Sequence, residues 1–130
     1  MGMAKKPIFS KVEQHDKAWG RELWMANNEK YCGKILEFNQ GSSFSMHYHI
    51  KKEETWMVVQ GVFEMEYFDL KSADISKTIL NVGDTVHLEP SIPHKLTCVE
   101  CESGKGMIFE VSTQHFNEDS YRIGKGDSQK

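Results

Sequence analysis

A chain of 130 residues, 38% hydrophobic and 27% charged, carries enough apolar side chains for one small core and too few for two. Sixteen basic against nineteen acidic residues leave a net charge of −3, which argues against nucleic acid as a partner, because phosphate binding demands a basic stripe. No apolar run approaches the ~20 residues that span a bilayer, so no membrane partner is expected.

In chain order, residues 1–18 read as an N-terminal arm, 19–123 as a single folded unit and 124–130 as a frayed tail. The start, Met1 to Pro7, has no apolar h-region, and Lys6 stands where a myristoylation signal has Ser or Thr; a cytoplasmic protein is the expectation. Short apolar stretches punctuated by Gly, Asn, Asp and Ser predict strands at roughly 21–26, 31–39, 43–49, 54–60, 62–69, 77–81, 84–89, 94–100 and 106–113. Lys71-Ser72-Ala73-Asp74 and Glu102-Ser103-Gly104-Lys105-Gly106 supply turns between them, and one helical turn is expected near 116–121. So many short strands must curl into a barrel or sandwich to bury their apolar faces, which makes the fold class all-β and antiparallel. Cys32, Cys98 and Cys101 are too few for a disulfide scaffold and read as free thiols, the Cys98-x-x-Cys101 spacing included.

Around Gln60-Gly61 the pattern predicts a two-residue hairpin that pairs Val59 with Val62. Its register sets Val58 against Phe63, Trp56 against Met65 and Glu54 against Tyr67 on one face, with Thr55, Met57, Val59, Val62, Glu64 and Glu66 on the other. The first face is apolar except for Glu54, and a lone buried carboxylate needs a partner. Two imidazoles stand just upstream. His47 and His49 are one residue apart and share a strand face, although their odd spacing to Glu54 requires a break at Ile50-Lys51-Lys52-Glu53. His94, after Pro90 and Pro93, is a fourth candidate. Three imidazoles and one carboxylate suit a single divalent Fe, Mn, Ni, Co or Zn ion, and the pattern leaves that choice open. Glu53 competes with Glu54 for the carboxylate role, and Lys51-Lys52 reads as a solvated turn. His15 and His115 have no partner spacing and read as surface residues. Glu110, an acid inside the apolar run Met107 to Val111, and His87, between Val86 and Leu88, are divided between solvent and the cavity.

Gly41, five residues, His47-Tyr48-His49, four residues, Glu54, six residues and Gly61 resemble the first cupin motif at every spacing. Gly83 and His94 match the second motif in part. Where that motif has proline, another residue and glycine, this chain has Glu89-Pro90-Ser91, and its final asparagine position is Cys98. The resemblance implies a small antiparallel jelly-roll β-barrel with His47, His49, Glu54 and His94 holding the metal inside one end. A closer resemblance, over roughly 19–122, is to the cupin domain of type II phosphomannose isomerases. It rests on Trp19-Gly20, Met46-His47, Glu54 to Gly61, Phe109-Glu110-Val111 and the Glu118 to Arg122 tail. Those isomerases place a metal-binding Gln where this chain has Ser45, so the resemblance implies that His49 takes over that ligand position.

The implied activity is aldose–ketose isomerisation of a sugar or sugar phosphate. Glu110 is then the candidate base, with Tyr67 or His87 behind it. Arg122, Tyr121 and Trp56 are candidates for holding the substrate, Arg122 because a guanidinium fork suits an anionic sugar. The alternatives are an iron-dependent cupin dioxygenase and a non-catalytic sugar- or metabolite-binding cupin. A homodimer through Met57, Val59 and Val62 is the expected assembly.

Overall fold

A computed structural model describes residues 6–123. The expected tail at 124–130 and the first five residues of the expected arm lie outside the described residues. The described chain is all-β, with eleven strands and no helix: β1 Glu13–Lys17, β2 Gly20–Asn27, β3 Cys32–Asn39, β4 His47–Tyr48, β5 Glu54–Gln60, β6 Val62–Phe68, β7 Ile75–Leu80, β8 Thr85–Leu88, β9 His94–Glu100, β10 Lys105–Ser112 and β11 Tyr121–Arg122. They form two antiparallel sheets, ordered β1-β2-β3-β10-β5-β8 and β11-β4-β9-β6-β7, in a jelly-roll arrangement. Trp19, Phe38, Trp56, Phe63, Leu96 and Ile108 fill the space between them. Fully burying one such side chain is worth about 1.5–3 kcal/mol, so this shared interior holds the two sheets together.

Alternation explains the strands. Glu54, Trp56 and Val58 of β5 are buried while Met57 and Val59 are exposed, and Phe63 and Met65 of β6 are buried in turn. The inward face is therefore the one expected, but the hairpin is not. β5 pairs with β10 and β8, whereas β6 pairs with β7 and β9. Gln60-Gly61 carries the chain from one sheet to the other. Two strands that face a common interior from opposite sheets bury the same alternate residues as a hairpin would, so parity survives the wrong pairing. Gly61 makes this corner possible: its φ is +89°, and a Cβ there would stand 3.0 Å from the Glu100 carbonyl oxygen.

Three further differences bear on the site. The strand expected over 43–49 is interrupted, with one bridge from Ser43 to Thr97 and then the short β4. Residues 13–17, expected in the arm, pair with β2 as an edge strand. The helical turn expected near 116–121 is a tight turn closed by Asp119 N–H on the Phe116 carbonyl, and the chain then returns as β11 beside β4. No helix of the described residues is long and apolar enough to cross a membrane.

Candidate metal centre

His47 on β4 and His94 on β9 are direct register partners, which sets their rings 4.6 Å apart between centroids. His49 leaves β4 on the same side, 4.9 Å from the His47 ring. Together the three histidines bring one ring nitrogen each within 4.8 Å of the others. Their Nδ1 atoms are already engaged. His47 Nδ1–H donates to the Ser45 carbonyl at 2.7 Å, His49 to the Asp119 carbonyl at 2.7 Å and His94 to the Ile92 carbonyl at 2.9 Å. A carbonyl only accepts, so each proton is fixed on Nδ1 and each Nε2 keeps its lone pair.

Burial enforces the neutral form. It pushes His47 down to about 3, helped by the neighbouring His94. His49 falls to about 4 through burial and the Lys52 charge, and His94 to about 4 through burial against the opposing pull of its Ile92 hydrogen bond. Glu54 approaches the three histidines from β5. Its Oε1 accepts from the Trp56 indole N–H at 2.7 Å, and its Oε2 lies 3.5 Å from His49 Nε2. A neutral Nε2 and a carboxylate oxygen are both electron-pair donors, so the two atoms could face a shared cation. The donor set of three imidazoles with a carboxylate beside them fits a divalent transition ion and leaves its identity open.

Asp119 organises the loop that sequence reading left as a plain break. Its side chain is buried and accepts the backbone N–H groups of Ile50, Lys51 and Lys52 at 2.9–3.2 Å, while its carbonyl orients His49. Burial works against its charge, but those three N–H groups hold its carboxyl below the usual value.

Behind the histidines lies a cavity of about 350 Å³. One wall carries charges that sequence reading placed elsewhere. Lys52, expected in a solvated turn, is 4% exposed; its Nζ is 3.3 Å from Glu110 Oε2 and 3.3 Å from His115 Nδ1. Burial opposes its charge, yet Glu110 and Glu54 raise its pKa above the ordinary lysine value. His115 and His15, read as surface residues, both line the cavity, and burial drives His115 down to about 4. Lys34, 2% exposed, pairs with Glu22 at 3.3 Å and lies over the Trp24 ring. Burial disfavours the Glu22 charge, but Lys34 holds its pKa below normal.

The remaining candidates divide by strand parity. Glu110, Trp56 and Arg122 line the cavity. Tyr121, next to Arg122, turns outward and stacks on Tyr48. Tyr67 is the register partner of His94 and packs against the core, but it is not among the residues lining the cavity. His87 is a correction: it is exposed on β8 and pairs with Glu53 at 2.6 Å, because Val86 and Leu88 take the inward positions. The same contact holds Glu53 at the surface, where it is no rival to the buried Glu54. Lys52, Asp119 and His115 left no readable signal, since their partners are 58, 67 and 63 residues away in the chain.

No curated protein sequence matches this chain. Solved structures do. Oxalate decarboxylase from Bacillus subtilis superposes with a TM-score of 0.77 at 14% identity, over 95% of this chain and 33% of that one. The capsular polysaccharide assembling protein CapF from Staphylococcus aureus gives 0.75 at 13% identity, over 87% of this chain and 34% of that one. KdgF from Halomonas sp. gives 0.67 at 18% identity, over 82% of this chain and 91% of that one. This chain thus spans about a third of the first two and most of the third, and at these identities the likeness is one of fold. The Cupin domain family matches residues 34–109, more than half the chain and the span holding all three histidines with Glu54; the chain belongs to the cupin family.

Proposed function

We propose that this chain is a metal-dependent enzyme acting on a small polar substrate, a sugar or sugar phosphate, in an aldose–ketose isomerisation. The observation that supports the reading is the clustering of three histidines, each with an Nε2 free of its ring proton, in a polar cavity, with the Glu54 carboxylate 3.5 Å from one of them. His47, His49, His94 and Glu54 would hold the ion, whose contribution when bound is Lewis acidity toward adjacent substrate oxygens. Trp56 fixes the Glu54 rotamer through its indole N–H. Glu110 is the carboxylate on the wall facing the substrate space, and in this reading it moves a proton between neighbouring carbons. Phe44 and Trp56 close the apolar side of the cavity and exclude water from the proton in transit. Arg122 reaches the cavity from β11, where its guanidinium can take an anionic group of the substrate.

The test is solvent exchange. Protein reconstituted with divalent transition metals should incorporate deuterium into a C–H position of an aldose or ketose phosphate under anaerobic conditions. The three-histidine set also suits ferrous oxygen chemistry, so a dioxygenase is the second reading. Absence of exchange across the panel, together with oxygen uptake on another substrate, would replace the first reading with the second.

A further inference from the structure

The cavity lining is cationic in a chain that is anionic as a whole. Lys17, Lys34, Lys52 and Arg122 line the cavity against Glu22, Glu54 and Glu110, one positive charge in excess, while the full chain carries −3. A divalent ion would raise that excess to three. Two of these cations are buried: Lys34 is engaged by Glu22 and the Trp24 ring, and Lys52 by Glu110 and His115. Lys52 has three N–H donors. One goes to Glu110 Oε2 and one to His115 Nδ1, each at 3.3 Å. His115 can accept because its other nitrogen donates to Asn117 Oδ1 at 3.1 Å, which fixes the ring proton on Nε2. The third N–H of Lys52 has no protein acceptor among the described residues, and the residue lines the cavity.

Burying an ammonium at this depth costs several kcal/mol unless its donors are used. Glu110 and His115 hold it in place without saturating it. We infer that Lys52 is an anchoring site for an anionic oxygen of the ligand, and that the cavity takes a small anionic molecule, bearing a carboxylate or a phosphate, rather than a neutral sugar. A lysine ammonium meets a carboxylate and a phosphate alike as a point charge, so the chemistry it reads is the anionic oxygen. This inference rests on the cavity being a ligand site, as the proposed function holds, and it adds the substrate class.

The probe is malonate, with 1,3-propanediol as its uncharged counterpart, titrated calorimetrically into Mn(II)-loaded protein. Wild type should bind malonate and discriminate against the diol by at least tenfold. Lys52→Met/Glu110→Gln removes the ion pair as a unit and leaves no buried carboxylate unpaired; it should lose at least tenfold in malonate affinity with metal content unchanged. Glu110→Gln alone removes the negative charge beside Lys52 while keeping an acceptor for it, and should tighten malonate several-fold, a change of sign that a merely structural ion pair would not give. This single variant keeps the inference testable if the double variant fails to fold. Equal malonate affinity in wild type and the double variant, or no malonate binding by wild type at millimolar concentration, overturns it. Inorganic phosphate titrated in parallel tells the two anions apart, and whichever binds more tightly should lose the same tenfold in the double variant; an unchanged affinity for it overturns the inference. Failure of the wild type to take up manganese, cobalt, nickel, iron or zinc overturns the metal reading instead, and malonate titrated into the metal-free wild type and double variant still reads Lys52 by difference.

Discussion

Single residues do unequal work in this cavity. His47 and His94 are cross-strand partners whose backbone positions are set by sheet pairing, so His47→Ala or His94→Ala should abolish stoichiometric metal uptake, read by elemental analysis, while the far-UV signature of the β-fold persists. Glu54→Gln keeps the shape and the Trp56 hydrogen bond but loses the charge, and should weaken metal affinity about 10–100-fold without abolishing it. Asp119 is the least conspicuous and the most structural. Asp119→Ala leaves three backbone N–H groups without their carboxylate and should cost about 2–3 kcal/mol in urea unfolding, within the range for hydrogen bonds to charged groups. A loss below half a kcal/mol would show that water replaces the carboxylate freely. The clustering of His47, His49 and His94 was legible in the sequence because parity and spacing are local. It missed the Asp119 and Lys52 contacts because each depends on the C-terminal segment returning to the loop after β4, which no local pattern encodes.

At the scale of elements, two backbone positions carry the joints. Ser91 sits where the resemblance to the second cupin motif has glycine, and it adopts that glycine's conformation, with φ of +78°. Its N–H donates to the His49 carbonyl at 2.6 Å, so the strained turn ties the loop before β9 to the histidine at the end of β4. A β-carbon in the left-handed region costs about 1–2 kcal/mol. Ser91→Gly should therefore raise stability, by about 0.5–1 kcal/mol once the extra freedom of glycine in the unfolded chain is set against it, as measured by the urea midpoint. Gly61 is the opposite case: Gly61→Ala adds a Cβ at 3.0 Å from a backbone oxygen and should destabilise the crossover. The strands themselves were legible, with β5 and β9 falling on their expected residues, because alternation over seven residues has only one apolar face. Their partners were not. A turn signature between two alternating strands is the same whether the chain folds back within a sheet or crosses to the next one.

The whole molecule stores four neutral imidazoles in its interior, and this makes its stability depend on pH with a definite sign. His47 is held at about 3, and His49, His94 and His115 at about 4, each by burial first, against an ordinary value of 6.5. Above pH 6.5 both folded and unfolded chains keep these rings neutral, and their contribution to stability is fully present. As pH falls below 6.5 the unfolded chain takes up protons that the folded chain refuses, so stability drops with every unit until the folded values are reached near pH 4 and 3. Each such histidine contributes a slope of about 1.4 kcal/mol per pH unit within that window. Asp119 and Glu22, both held below their ordinary carboxylate values, add to the loss at its acid end. Metal-free protein should accordingly show a urea midpoint that is flat from pH 8 to about 6.5 and falls steeply from there toward pH 4. A bound divalent ion competes with protons for the same Nε2 lone pairs and should move the onset of that fall to lower pH. His115 is the internal control. It lines the cavity but lies outside the three-histidine cluster, so His115→Gln should reduce the slope of the metal-free protein by roughly one histidine's share and leave metal uptake intact. A metal-free midpoint that stays level from pH 6.5 to 4.5 would mean the rings are already charged in the folded state, and the arrangement of neutral ligands described above would be wrong.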